Sequence, residues 1–281
     1  MRQIPEQFER YLRLIGIKNI SLGFKGLEEI VLKHLCAVPF ENVSKLLLFG
    51  SEGKGRPFTF SEFLDGIEYH DFGGTCHSNN PFLADLLKAL GYEAYLLGAD
   101  MDEPNVHTCI RVKLGFFEYH VDVGYAAPFR KPMRLDYTPY EIKQGDYRYL
   151  FDRYGKSSVY EVSIVSGKER LHGYVAHGPP RNAEFFKKTI TESFEPGKTF
   201  MSYLRITRFF ERHAVELKNR MLFFHKDGQS RQKELQHMED VEQAVQNDLA
   251  MPRCPVEKAI EVLEHVTGEP FFEGPICPER L

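Results

Sequence analysis

The stretch "VHTCIRVKLGFFEYHVDVG" (residues 106–124) holds two runs rich in β-branched and aromatic residues around a glycine. That pattern predicts an antiparallel hairpin, with strands over 106–114 and 117–124. A two-residue turn at Leu114-Gly115 sets His107 directly opposite Asp122 on one face. A turn one residue later makes them diagonal neighbours, still on one face. A carboxylate that holds one imidazole nitrogen leaves the other free to act as a base. A His facing an Asp across a hairpin is also a common structural pair, so the hairpin alone leaves both readings open.

Outward from the hairpin, the pattern changes period. Upstream, apolar residues recur at helical spacing in "QFERYLRLIGI" (7–17) and "GLEEIVLKHLCAV" (26–38). "TFSEFLDGIEYHD" (59–71) opens with a hydroxyl cap and acids in its first turn. "NPFLADLLKALG" (80–91) predicts a helix with Asn80 as N-cap, Pro81 first and Gly91 as the stop. Further strands are expected over 92–99, 147–154, 158–166, 199–210 and 215–224, and a loop over 124–141. Helices are expected over 183–193, 231–250 and 255–267, the last a packing helix followed by an exposed tail. The chain thus divides into a helical part (1–91), a β-rich part (92–180) and a mixed part (181–281).

Hydrophobic residues make up 42% and charged residues 27%, the balance of an ordinary globular protein. With 36 basic and 40 acidic residues the net charge is −4, which offers no broad attraction to nucleic acid or an anionic membrane. No stretch approaches the roughly 20 apolar residues that span a bilayer, and the N-terminus is charged throughout, so a cytoplasmic protein is expected. Five cysteines at irregular spacings fit reduced thiols better than a disulfide framework.

Among those cysteines, Cys76 stands in "FGGTCHSNN" (72–80), behind a glycine pair and just before a predicted helix. A helix N-terminus favours a thiolate, and the Gly73-Gly74 turn lets a substrate approach and lets backbone N–H groups face a developing oxyanion. Alone, a cysteine is more often buried packing. Cys76, His77, His107, Cys109 and His120 include metal-binding residue types, but their spacing matches no knuckle, and no metal is expected. His70 and His77 are expected to be local hydrogen-bonding or surface residues.

Together these segments resemble the arylamine N-acetyltransferase family. The resemblance is carried by "VPFENVSKLL" (38–47), "GGTCHSNN" (73–80), "NVHTCIRV" (105–112), "HVDVGYAAPFRKPM" (120–133) and "RNAEFFKKTITESFEPGKTFMSYLRITRF" (181–209). It implies an α+β fold with an N-terminal helical bundle, a central antiparallel β-barrel and a C-terminal α/β lid around a cysteine-proteinase-like core. It implies Cys76 as nucleophile, His107 as base and Asp122 as orienting carboxylate. Acetyl-CoA would be the co-substrate, acetylating the cysteine in a ping-pong reaction, and an arylamine, arylhydrazine or N-hydroxyarylamine would accept the acetyl group. Phe40, Thr75, Val106, Thr108, Gly124, Tyr125, Ala126 and Phe129 would line the substrate and CoA site, with Arg130 near its mouth.

The chain departs from the family pattern at specific positions. Phe72 replaces an Arg that could pair with Glu41, so Glu41 must find another partner or stay solvated. His77 and Ser78 follow the cysteine where the family favours an aromatic and then Glu. Ala126 replaces the second glycine of a Gly-Phe-Gly loop, at a place where φ > 0 disfavours a side chain. These changes bear on pocket shape and acceptor range. They leave open an amide synthase that takes a longer acyl thioester, and a catalytically weak relative that binds CoA or another ligand.

Overall fold

The computed structural model describes residues 4–154 and 159–277. Ser158 of the expected 158–166 strand and residues 278–281 of the expected tail lie outside the described residues.

The N-terminal part is helical, as its apolar spacing predicts: α1 (Glu6–Leu14), α2 (Phe24–Ala37), α3 (Val43–Glu52), α4 (Phe60–His70) and α5 (Cys76–Leu90), with a two-residue strand β1 (Phe40–Glu41). Helix α4 begins on a capping box in which the Thr59 side chain accepts from the Glu62 N–H and Glu62 accepts from the Thr59 N–H. Helix α5 starts five residues earlier than expected, with Thr75 as N-cap and Pro81 inside it. Asn80 therefore caps nothing, and Cys76 becomes the first helical residue. Gly91 ends the helix in the left-handed region, as predicted.

Eight strands form the middle: β2 (Glu93–Asp100), β3 (His107–Leu114), β4 (Phe117–Val121), β5 (Met133–Arg134), β6 (Tyr140–Gln144), β7 (Tyr147–Arg153), β8 (Tyr160–Ser166) and β9 (Glu169–Ala176). They form one antiparallel sheet in the order β5-β4-β3-β2-β9-β8-β7-β6. The sheet nearly closes into a barrel, because Tyr140 on β6 meets the far edge: its hydroxyl accepts from Arg134 N at 2.9 Å. The expected loop over 124–141 thus contains β5 and runs into β6. In the hairpin, Leu114 pairs with Phe117 and Ile110 with Val121, so the turn is Gly115-Phe116. Gly115 takes φ +60° as the first turn residue, where a tight hairpin favours glycine. His107 and Asp122 are accordingly diagonal on one face, not directly opposite.

The C-terminal part holds β10 (Arg205–Phe209), β11 (His213–Lys218), β12 (Met221–Lys226) and β13 (Gln229–Glu234), with helices α6 (Lys187–Glu192), α7 (Met238–Gln243) and α8 (Val256–Thr267). The sheet order is β1-β10-β11-β12-β13, so β1 from the helical part forms one edge of this sheet. Three sequence expectations change here. Of the expected 199–210 strand only Arg205–Phe209 pairs, because Thr199–Met201 coil into a 3-10 turn. Residues 215–224 bend at Asn219 into a hairpin instead of forming one strand, with Asn219 at φ +47°. The expected 231–250 helix begins only at Met238, because Gln229–Glu234 pair with β12 as a polar edge strand.

Among the described residues three large buried clusters form the core. Tyr11, Ile30, Leu64 and Leu83 from the helices pack with Ile110, Val112 and Val121 of the hairpin. Leu97, Phe129, Phe151 and Tyr174 fill the barrel. Val43 and Leu46 of α3 join Ile206, Leu217, Leu249 and Ile260 in a third core. Ile260 is fully buried. Ile260→Ala should therefore cost about 2–5 kcal/mol in urea unfolding; a change below about 0.5 kcal/mol would show that α8 is peripheral.

Candidate active site

Cys76 occupies the first turn of a 15-residue helix, where the helix dipole and unpaired N–H groups favour negative charge. Its carbonyl oxygen accepts from Thr108 Oγ1 at 2.7 Å, which pins the helix start to β3. Gly124 packs against this point: a Cβ there would lie 2.6 Å from Cys76 Cα, so only glycine allows the approach.

The His107 imidazole and the Cys76 sulfur are close enough that the charge of each favours the charge of the other. Its Nε2 donates to Asp122 Oδ2 at 2.8 Å. Asp122 is only 1% exposed, and three further donors satisfy it. Tyr174 OH donates to Oδ2 at 2.7 Å, and Asn80 Nδ2 (2.8 Å) and Gly124 N (2.9 Å) donate to Oδ1. Burial pushes the Asp122 carboxyl up, but His107 and these bonds hold it down at about 2. For His107, burial opposes the charge, while Asp122 and Cys76 raise it to about 10. The Cys76 thiol is opposed by burial in the same way. His77 and His107 outweigh that burial and bring it well below the ordinary thiol range. These directions favour the charged forms of all three groups: thiolate at Cys76, imidazolium at His107 and carboxylate at Asp122. Among the described residues no group of three or more His, Cys, Asp or Glu is placed to hold a metal ion.

Asn80, expected as a helix cap, instead faces the barrel. Its Nδ2 also donates to Thr108 O at 2.5 Å, and its Oδ1 accepts from Val123 N at 3.0 Å. Tyr174 had no local signal in the sequence, since it arrives from β9 by long-range pairing. Behind it, His120 Nε2 lies 2.8 Å from the Tyr174 hydroxyl. Burial pushes His120 down to about 4, so it is neutral near pH 7 and donates Nε2–H to Tyr174. The Tyr174 proton is thereby directed to Asp122.

The expected lining residues divide into two groups. Val106, Thr108, Gly124 and Tyr125 stand around Cys76, His107 and Asp122: the Val106 carbonyl oxygen lies 4.0 Å from Cys76 Sγ, and Tyr125 presents its ring to His107 at 5.2 Å between centroids. Thr75 lines a neighbouring pocket with Lys45, Arg56, His77, Ser78 and Phe194. Phe40 lies on β1 against Phe200, at 5.4 Å between ring centroids. Phe129 packs in the barrel core, and Arg130 donates to the Phe210 and His213 carbonyls of the C-terminal sheet. Ala126 holds φ +58°, so it keeps the left-handed turn of a glycine at a steric cost.

Glu41 is fully buried without an arginine partner. Its Oε1 accepts from Gly74 N (2.6 Å), Gly73 N (3.1 Å) and Ser44 Oγ (2.7 Å), and its Oε2 from Ser44 N (2.8 Å). The N–H groups of the glycine pair, expected to face an oxyanion, are therefore spent on Glu41. Burial raises the Glu41 carboxyl, and these bonds oppose that rise.

Two outcomes follow. Alkylation of Cys76 by iodoacetamide, read on its peptide by mass spectrometry, should stay level as pH falls from about 8 to about 6, where an ordinary thiol loses reactivity about tenfold per unit. His107→Gln should restore that ordinary dependence; a wild-type profile in that variant would remove His107 from the thiolate's environment. Ala126→Gly should raise stability by about 0.5–1 kcal/mol in urea unfolding, and a loss of stability would show that the methyl packs usefully.

Comparisons with known proteins bear on the family and the fold. The N-acetyltransferase family model matches residues 24–252. A pineal gland isozyme of arylamine N-acetyltransferase from Gallus gallus is 31% identical over 45% of this chain, and the match spans only 46% of its own length. The arylamine N-acetyltransferase of Mycolicibacterium smegmatis is 24% identical over 78% of this chain and 82% of its own. The solved Mycobacterium marinum enzyme in complex with CoA shares the fold, with a TM-score of 0.77 at 19% identity, over 92% of this chain and 99% of that one. A match over most of the sequence, in a chain folded as helices around a nearly closed barrel, makes this protein a member of the arylamine N-acetyltransferase family.

Proposed function

We propose that the enzyme transfers an acetyl group from acetyl-CoA to an arylamine, arylhydrazine or N-hydroxyarylamine through an acetyl thioester on Cys76. The observation that carries this reading is the alignment of the Cys76 sulfur, the His107 imidazole and the Asp122 carboxylate at the start of α5. The CoA complex of the Mycobacterium marinum relative supports acetyl-CoA as the donor.

The thiolate attacks the acetyl carbonyl, and the C–S bond to CoA breaks as His107 gives its Nδ1 proton to the departing CoA sulfur. The acyl-enzyme then holds a neutral His107, with Nε2–H still on Asp122. An acceptor amine attacks the thioester, His107 takes the amine proton, and the electron pair of the breaking bond returns to Cys76 as thiolate. A thioester suits both halves, because it exchanges with the CoA thiol at little cost and yields to a weakly basic amine. Val106, Thr108, Gly124 and Tyr125 would border the reacting atoms. Phe40, Thr75, Ala126 and Phe129 would shape the cleft beyond them.

Incubation with acetyl-CoA should leave one acetyl group on the Cys76 peptide, and adding an aromatic amine should remove it. No acetylation with the thiol demonstrably free would reject the reading. Asp122→Asn should slow acylation at least about a hundredfold, since the base loses its tautomer and its counter-charge. An unchanged rate would take Asp122 out of the mechanism.

A further inference from the structure

Two tyrosine rings wall the imidazole of His107. Between ring centroids, Tyr174 lies 4.5 Å and Tyr125 5.2 Å from it, and the two tyrosines meet edge to face at 4.7 Å. Tyr174 is held by its bond to Asp122. Tyr125 sits on the loop after β4, and among the described residues its hydroxyl has one partner, His172 Nδ1 at 2.7 Å. The rings of Tyr125 and His172 are nearly parallel, 5.9 Å apart between centroids. His172 and Tyr174 are two residues apart on β9, so one face of that strand supplies both supports. The ladder is irregular at this point. Val165 of β8 opposes Arg170 and Ile164 opposes His172, so Leu171 bulges out immediately before His172. A bulge bends the strand and re-aims the side chain beside it.

The direction of the Tyr125–His172 bond follows from burial. Tyr125 is buried, and burial keeps its phenol protonated. Were His172 to donate from Nδ1, the phenol proton would have no acceptor. Tyr125 therefore donates, and a neutral His172 accepts at Nδ1 with its own proton on Nε2. The half-buried His172 ring suits that role. Burial pushes it down to about 4, Asp102 opposes the fall, and Arg205, His107 and Arg170 add to it. His172 is thus neutral near pH 7.

We propose that His172 is a positioning residue that acts through Tyr125 on His107. By accepting the Tyr125 hydroxyl it tethers the phenol ring to β9 and holds it against the imidazole. The His107 ring, bonded to Asp122 through Nε2, then has a fixed wall on each side and keeps one orientation. A phenylalanine at 125 would fill the same volume without the tether. The proposal rests on the reading of His107 as the partner of Cys76 in acetyl transfer, and it adds a residue of β9 to that site. Its leverage is geometric, since a displacement of about 1 Å in a reacting group costs far more in rate than one hydrogen bond contributes to the fold.

The test follows the pH profile of Cys76 alkylation by iodoacetamide, read on the Cys76 peptide so that other thiols do not contribute. It compares the wild type with Tyr125→Phe, His172→Leu, the double variant and His172→Asn. Asn sets its Oδ1 where Nδ1 stood and so keeps an acceptor for Tyr125. Tyr125→Phe and His172→Leu should each move the acid limb up by about half a pH unit, a roughly threefold loss of reactivity at acid pH. The double variant should lose no more than either single one, and His172→Asn should keep the wild-type profile. Losses that add in the double variant would overturn the proposal, as would a wild-type profile in Tyr125→Phe. A loss in His172→Asn equal to that in His172→Leu would overturn it too, because the acceptor would then be irrelevant. Tyr125→Phe removes a single oxygen atom, so it decides even where His172→Leu does not fold. Acetylation of wild-type Cys76 by acetyl-CoA, measured on the same preparation, tests the transfer reaction separately. Its failure would reject acetyl transfer, while the alkylation profiles alone decide the role of His172.

Discussion

The buried carboxylate of Asp122 is the constraint on which the rest of the site depends. A carboxylate taken out of water costs several kcal/mol unless its oxygens are fully bonded. Here His107 of β3, Tyr174 of β9, Asn80 of α5 and the Gly124 backbone converge on it. Each donor comes from a different stretch of chain, so the charge is tolerated only when the helical part and the barrel are docked in one geometry. That docking also delivers the first turn of α5, and with it Cys76, to His107. Stability of the fold and alignment of the nucleophile are thus the same requirement.

A second buried carboxylate performs the corresponding task at the C-terminal sheet. Glu41 gathers the N–H groups of Gly73 and Gly74, and its own N–H donates to Gly74 O at 3.1 Å. The adjacent Asn42 accepts from Arg205 N at 2.8 Å and donates to Tyr203 O at 2.7 Å. Phe40 and Glu41 pair with β10. Three consecutive residues, Phe40 to Asn42, therefore join the turn before the nucleophile to the C-terminal sheet. Where an arginine would neutralise Glu41 by charge, this chain uses backbone N–H groups and a hydroxyl, which leaves Phe72 free to stack with His70 at 5.1 Å between ring centroids.

Local chemistry was readable where the period of the sequence carries it. The 106–124 hairpin declared itself through its β-branched residues, and period 2 put His107 and Asp122 on one face whichever turn was used. The exact register depended on one glycine, Gly115, which a pattern of apolar residues does not weigh. Asn80-Pro81 looked like a helix start because proline favours the first helical position. Instead, the energy of filling the Asp122 shell outweighs the helical bond that Pro81 loses. Tyr174 and His120 join the site through strand pairings far apart in sequence, which no local pattern encodes. The polar β13 read as part of an amphipathic helix, because an exposed edge strand needs no apolar face of its own. Ala126 adopts the left-handed turn despite its methyl, since the packed loop around it over-determines the backbone.

All of this reduces to the state of one sulfur. The most direct measurement is the ultraviolet thiolate absorbance of the ligand-free protein, taken as the difference between wild type and Cys76→Ser across a pH titration. The geometry predicts a thiolate signal already present near neutral pH, which disappears only in acid. A difference that appears only above the ordinary thiol range would contradict it, and would make Cys76 a buried thiol beside two uninvolved histidines.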